Sequence, residues 1–435
     1  MPNSFSMKKV FVFITAWMLL LVLKAHADHT MVILSDPHVM ASSLLKSPGS
    51  AWDAHLSESR KLVDYSQPLF DEMIDRIKND IKPQLVLITG DLTKDAEVDS
   101  HHAVLSKLNE LRAAGIKILV VPGNHDRGTH NQAVCFDGSS ATPVPTVNDD
   151  TFATLYAHYG YGPHSEREGT TLTYAAEPLA GLVVIGIDTG VDGVVPPATL
   201  KWVCAKAVEA QGRGKRVIAM MHHPLIPHLT RSHLFVKTSF IENSDAVRNA
   251  LVKAGVKVVF SGHFHISDIA KDYDDELTDS IYDVNTGSLD SFPCDYRVVR
   301  WSDDWSQMHL TTHHITALPG HPEFSTEYAR KRLHDSIKHI VTQKAVSKLG
   351  ALAPMLKEPI KVMATNVADA YIIHARGNEH QVNTEHIFTN LAPAFEMLGS
   401  LEDMFKSMLY DLAPYGIPHR ENRTDDHTLE LGEAR

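Results

Sequence analysis

The sequence predicts an α/β protein followed by a mostly α-helical C-terminal region. Three observations predict it. Short apolar runs of strand length alternate with segments of helical period up to about residue 318. Most of these runs end in a small cluster of Asp, Asn or His, as in α/β sheets that gather their chemistry at the carboxyl ends of the strands. Beyond Leu318-Pro319-Gly320-His321-Pro322 the strand signal fades and helical spacing remains.

The chain opens with Lys8 and Lys9, an apolar run from Val10 to Leu23, and Ala25-His26-Ala27 before Asp28. That is the three-part layout of a secretory signal peptide over residues 1–27, so the chain is expected to be exported, to a periplasm or outside the cell. The run is short for a membrane span, which needs about 20 apolar residues. Met7 offers an alternative start. Cleavage removes Lys8, Lys9 and Lys24 from 41 basic residues against 53 acidic ones, so the mature formal charge becomes −15. Such a chain is poorly suited to holding nucleic acid or an anionic membrane, and no stable binding to either is expected. A small phosphorylated substrate is still compatible, because a metal supplies positive charge locally.

Thr30 to Leu34 reads as the first strand and ends in Ser35-Asp36-Pro37-His38. Leu62, Tyr65, Leu69, Met73 and Ile77 then recur every three or four residues, which predicts a helix from Ser57 to Lys78. Leu85 to Thr89 is the second strand and ends in Gly90-Asp91. A helix follows from His101 to Ala114, with Val104, Leu105, Leu108 and Leu111 on one face. Ile116 to Val121 is the third strand. Pro122 and Gly123 break it, and Asn124, His125 and Asp126 follow in a turn. Strands alternating with helices predict a largely parallel sheet covered on both faces.

Residues 127–170 form a polar excursion with a helix near Phe152 to His158. Strands at Leu182 to Asp188 and Arg216 to Met221 flank a helix from Pro197 to Glu209, and the second strand ends in His222-His223-Pro224. After an irregular stretch over 225–243, a helix from Ser244 to Ala254 precedes a strand from Val256 to Phe260. That strand ends in Ser261-Gly262-His263-Phe264-His265. Strands at Ile281 to Val284, Arg297 to Trp301 and Met308 to Thr312 complete a unit of residues 28–318. The remainder, 319–435, carries helical spacing at Leu333, Ile337, Ile340 and Val341, with further helices expected over Ala368 to Ala375 and Phe395 to Leu412. The polar tail from His419 is expected to be disordered. Cys135, Cys204 and Cys294 are too dispersed for a metal cluster, and their sequence leaves any pairing open.

The strand-end groups form a mixed oxygen and nitrogen donor set: Asp36, His38, Asp91, Asn124, His222, His263 and His265. Such a set suits Mn, Fe or Zn better than Ca or Mg. It holds more donors than one tetrahedral ion takes, and enough for two ions sharing a carboxylate. In Asp36-x-His38 and His263-x-His265 the spacing of two places both side chains on one face of an extended backbone. The chain has 27 histidines, and isolated ones such as His101, His164 and His228 are expected to be structural or solvent-facing.

D-x-H, G-D, G-N-H-D, a histidine before a proline, and G-H-x-H, in this order over roughly residues 30–310, resemble the calcineurin-like binuclear metallophosphoesterases. The resemblance implies an α/β/β/α sandwich and two metal ions of the Mn, Fe or Zn type. It implies that Asp36, His38 and His265 hold one metal, that Asn124, His222 and His263 hold the other, and that Asp91 bridges them. His125 would act beside the substrate and Asp126 would orient it. The implied activity is hydrolysis of phosphodiester, or else phosphomonoester, bonds by a water activated at the metal pair. Asp126 stands where the protein-phosphatase branch has Glu, and Lys94 where purple acid phosphatases have a ligating Tyr. The motif set is most similar to bacterial class III cyclic-nucleotide phosphodiesterases. The alternatives are a scavenging nucleotidase or phosphomonoesterase, and a non-catalytic scaffold on the same fold.

Overall fold

The computed structural model describes residues 29–128, 130–228, 240–277, 279–377, 421–423 and 426–432. The signal segment and the helix expected over Phe395 to Leu412 lie outside these residues. Among the described residues, no helix is long and apolar enough to cross a membrane.

The chain runs β1 (His29–Leu34), β2 (Leu45–Ser47), α1 (Ser50–Glu58), α2 (Ser66–Arg76), β3 (Leu85–Ile88), α3 (Val98–Ala113) and β4 (Lys117–Val120). It continues with β5 (Val134–Asp137), β6 (Ser140–Pro143), α4 (Asp149–Leu155), β7 (Ser165–Arg167), β8 (Tyr174–Leu179), β9 (Leu182–Ile187), α5 (Pro197–Gly212) and β10 (Arg216–Met221). Then come α6 (Ser244–Lys253), β11 (Val258–Ser261), β12 (Asp268–Tyr273), β13 (Ser280–Asn285), β14 (Asp295–Trp301) and β15 (Gln307–His314). Helices α7 (Thr326–Leu349) and α8 (Lys357–Ala375) and strands β16 (Glu421–Arg423) and β17 (Asp426–Glu430) complete the described chain.

The largely parallel, doubly covered sheet read from the alternation of strands and helices is two mixed sheets, in keeping with the sandwich that the resemblance implies. In the first, ordered β17-β15-β14-β1-β3-β4, only β1, β3 and β4 run parallel. In the second, ordered β16-β12-β13-β11-β10-β9-β8-β7, the parallel set is β9, β10, β11 and β13. A small third sheet joins β2, β5 and β6. The pleat shows how the two large sheets meet. Val184, Met220 and Phe260 share a core with β1, β3, α2 and α3, while Ile185, Ala219 and Val259 point the other way, into a core with α5 and α6. The sheets therefore face one another with helices outside, the α/β/β/α sandwich. An apolar run buried on both faces reads the same in a doubly covered sheet as in two stacked ones, so the sequence pattern alone does not separate them.

The helix expected from Ser57 to Lys78 is interrupted. α1 stops at Glu58, Ser59 is extended, and α2 starts at Ser66. The Leu62 N–H donates to the Asp290 carbonyl instead of continuing the helix, so a tertiary contact overrides the periodicity. α7 begins at Ser325, whose side chain accepts from the Tyr328 N–H at 3.1 Å, a standard N-cap. Leu333 and Ile337 of α7 and Ile360 and Met363 of α8 join the core of the first sheet. The three cysteines are free thiols.

The described strands of the tail expected to be disordered, Glu421–Arg423 and Asp426–Glu430, are paired instead. β17 adds to the edge of β15 and β16 to the edge of β12, so the chain's end touches both sheets. Its charged residues are those of an edge strand, and the apolar alternation is only Leu429 and Leu431, both buried. Leu429→Ala should therefore lower stability by about 2–5 kcal/mol, measured by urea unfolding. An unchanged midpoint would mean that the terminal strand does not hold in solution.

Candidate metal centre

The loops after β1 and β3 are tied through their backbones: the Asp36 N–H donates to Gly90 O at 3.1 Å and the His38 N–H to Asp91 O at 3.0 Å. The loops after β10 and β11 are tied likewise, Gly262 N–H donating to His222 O at 3.0 Å. Five side chains leave these loops from backbone with positive φ: Asp36 (49°), His38 (39°), Asp91 (50°), His263 (71°) and His265 (61°). This corrects the extended-backbone account of the Asp36-x-His38 and His263-x-His265 pairs. Both donors do reach one site, but from left-handed turns. Such conformations cost about 1–3 kcal/mol each for residues other than glycine and persist where the surroundings over-determine them.

Two motif glycines make room for the carboxylates. A Cβ on Gly123 would stand 2.1 Å from Asp91 Oδ1, and one on Gly262 would stand 2.6 Å from Asp36 Oδ2. Backbone donors take those same oxygens: the His125 N–H donates to Asp91 Oδ1 at 2.8 Å and the His263 N–H to Asp36 Oδ2 at 2.9 Å. Each carboxylate thus turns its other oxygen into the site.

There the donors converge in two groups. Asp36 Oδ1 lies 3.4 Å from His265 Nε2 and 3.8 Å from His38 Nε2, and the two ring nitrogens are 3.2 Å apart. His222 Nε2 lies 3.0 Å from Asn124 Oδ1 and 3.1 Å from His263 Nδ1. Asp91 Oδ2 stands between the groups, 3.6 Å from His38 Nε2 and 3.3 Å from His222 Nε2. The structure brings the seven residues singled out as ligands together, in two groups with Asp91 between them. Asp36 Oδ1 is buried with no hydrogen-bond partner, and ring nitrogens of the site stand 3.0–3.2 Å from one another and from the Asn124 amide oxygen. Both observations fit a pair of cations.

The electrostatics agree. Burial disfavours charge on His222, but Asp91 and then Asp36 outweigh it and push the ring up to about 9. Burial and the neighbouring His222 instead press His263 down to about 3. Burial would raise Asp91, yet His222, His125 and His38 hold it well below the usual carboxylate range. Without a cation, a proton on His222 supplies the positive charge the carboxylates demand. His222 is set by its Nδ1–H donating to Thr89 O at 2.9 Å, which leaves Nε2 facing the site. The adjacent His223 turns aside, its Nδ1 at 2.8 Å from Thr189 Oγ1 and its ring against His263.

One expected role moves to another residue. Asp126 does not touch His125. Its carboxylate accepts from the backbone N–H groups of Leu92 (3.1 Å), Thr93 (2.9 Å) and Gly123 (2.9 Å), and so knits the loop after β3 to the loop after β4. Burial and then the Asp91 charge push it up to about 6. The side chain that orients His125 is Asp95, whose Oδ1 accepts from His125 Nδ1 at 2.9 Å, beside the Lys94 carbonyl at 2.7 Å. Sequence reasoning missed Asp95. The only signal was an acid four residues beyond Asp91. It also missed Lys61, whose Nζ lies 3.0 Å from His38 Nδ1 and 3.3 Å from His125 Nε2. Of the isolated histidines, His228 is buried against Asp268 at 2.7 Å, His101 faces the Tyr156 hydroxyl at 2.9 Å, and His164 is exposed.

A fold of this kind with this site defines a metal-dependent phosphoesterase class. The chain belongs to the calcineurin-like phosphoesterase family, whose model matches residues 29–267. No curated relative matches it. Among solved structures it is similar to a dimetal phosphatase from Danio rerio, at 14% identity over 66% of this chain and 96% of that one, TM-score 0.44. It is also similar to a purple acid phosphatase from yellow lupin, Lupinus luteus, seeds, at 14% identity over 66% of this chain and 52% of that one, TM-score 0.40.

The reassignment can be tested. Asp95→Asn should keep its metal and lose about 10–100-fold in turnover, the usual effect of removing a residue that orients a functional group. Asp126→Asn should chiefly lower thermal stability. Equal turnover in Asp95→Asn and wild type would return the orienting role to another group.

Proposed function

We propose that this calcineurin-like phosphoesterase is an exported hydrolase of small phosphodiesters, with candidate ligands for two cations of the Mn, Fe or Zn type. The observation that carries the reading is Asp91 Oδ2, a single buried oxygen facing ring nitrogens of both donor groups. Asp36, His38 and His265 would hold one ion, Asn124, His222 and His263 the other, and Asp91 both. When bound, such ions polarise phosphoryl oxygens and lower the pKa of water from about 15.7 to about 7.

The chain's own groups do the rest. Asn124 turns Oδ1 toward His222 and keeps its amide N–H₂ to donate to a phosphoryl oxygen. His125 is partly exposed, as is His263, while Asp36, His38, Asp91, Asn124, His222 and His265 are buried. Asp95 and the Lys94 carbonyl fix the proton on Nδ1, so Nε2 is the nitrogen turned toward substrate. Protonated there, it gives a proton or hydrogen bond to the leaving oxygen. Asp95 is held well below the usual carboxylate range, because its bonds to His125 and Lys94 outweigh burial, so it stays an acceptor throughout. The preference for diesters is supported by the motif set, with Asp126 after His125 and Lys94 after Asp91. Phosphomonoesters and nucleotides are the alternative substrates. The formal charge of −15 in the mature chain supports a small substrate over a polyanionic partner.

Purified mature protein should contain about two metal ions per chain and cleave bis-p-nitrophenyl phosphate, and a chelator should abolish the cleavage. His125→Ala should retain metal and lose about 10²–10⁴-fold in turnover, the range of general acid catalysis. Asp91→Ala should lose metal. A scaffold would show neither metal nor turnover, and a monoesterase would prefer p-nitrophenyl phosphate. Export is checked by N-terminal sequencing of protein from expressing cells: a mature start at Asp28 is expected, and an intact Met1 or Met7 would refute it.

A further inference from the structure

The interruption between α1 and α2 brings a cation to the mouth of the site. We propose that Lys61 binds the substrate, donating from Nζ to a non-bridging phosphoryl oxygen beside His125, and that helix α8 holds the segment that carries it. This rests on the phosphoesterase reading above and adds to it a substrate contact supplied by the C-terminal region.

Lys61 Nζ sits against two imidazoles, 3.0 Å from His38 Nδ1 and 3.3 Å from His125 Nε2. Among the described residues, no carboxylate lies within ion-pair distance of it. His38 turns Nε2 to the carboxylates, so in a metal-holding ring the proton is on Nδ1, and an ammonium offers that proton no acceptor. His125 Nε2 accepts from Lys61 only while its ring is neutral. An ammonium has three donors, and at least two remain for a group that enters the site. An anion placed between Lys61 and His125 supplies a direct acceptor for the ammonium. A phosphoryl oxygen does so, and it would be bound by Nζ and the Asn124 amide N–H₂, which leaves His125 Nε2 for the leaving oxygen.

The backbone around Lys61 is built to keep it there. The Lys61 N–H donates to Ser59 Oγ at 3.1 Å, the Leu62 N–H to Asp290 O, and Ser291 Oγ donates to Arg60 O at 3.2 Å. From outside, Arg60 Nη1 donates to the Tyr371 hydroxyl of α8 at 3.0 Å. Arg376, just beyond α8, lies over the Phe292 ring, 4.9 Å from its centroid. α8 therefore braces both strands of the connection that presents Lys61.

The test uses the full mature chain loaded with metal, with inorganic phosphate as the probe. Calorimetry should show phosphate binding to Lys61→Met weakened by about tenfold or more, the size of one charge-assisted hydrogen bond, with metal content and thermal midpoint unchanged. KM for bis-p-nitrophenyl phosphate should rise more than kcat falls. Lys61→Arg should recover part of the phosphate affinity, and Tyr371→Phe should weaken it less than Lys61→Met does. Wild-type phosphate affinity in Lys61→Met overturns the proposal. So does loss of metal in that variant, which would make Lys61 a support for His38. Should Lys61→Met fail to fold, Lys61→Gln decides by the same comparison. A wild-type chain that binds metal and phosphate but cleaves no phosphoester overturns the proposed function instead, and Lys61 is then judged on phosphate binding alone.

Discussion

The structure depends on one electrostatic demand. Two buried carboxylates, Asp36 and Asp91, each spend one oxygen on a backbone N–H and turn the other into a space lined by imidazole nitrogens and an amide oxygen. Acceptors do not gather this closely without something positive among them. The raised His222 and the unpartnered Asp36 Oδ1 are two expressions of that demand. The stacked sheets satisfy it by bringing loops from β1, β3 and β4 of one sheet against loops from β10 and β11 of the other.

Meeting the demand distorts the backbone. Five ligand positions have positive φ, and motif glycines stand where a Cβ would strike a carboxylate. Asp and His tolerate the left-handed region better than most residues, but they do not favour it. The inter-loop hydrogen bonds and the Asp126 carboxylate, which gathers three backbone N–H groups, hold these turns in place. Asp126 thus fixes the loop from which Asn124 and His125 project.

The helical C-terminal region is part of the same construction. α7 and α8 add apolar side chains to the core of the first sheet, and α8 reaches the Arg60–Lys61 connection through Tyr371. The last strands return to both sheets, so a segment far along the chain covers β12 and β15 and forms the outer strand beside each.

Read in one dimension, the chain already showed the order of strands and helices and the polar cluster after each strand. It also showed the seven candidate ligands, because strand-end position and residue type are local properties. Local pattern did not determine which sheet a doubly buried strand joins, since the run from Leu182 is equally apolar toward either neighbour. It mistook the periodicity over Ser57 to Lys78 for one helix, because the Asp290 carbonyl that breaks it lies more than two hundred residues away. It paired His125 with the adjacent Asp126, whereas the ring rotates toward Asp95 on another loop. The sequence by itself determined the donor set and its chemistry. Only the tertiary structure decided which carboxylates face the imidazoles of the site, which one accepts from His125 and which lysine stands beside it, because those relations belong to distances between loops that the chain brings together on folding.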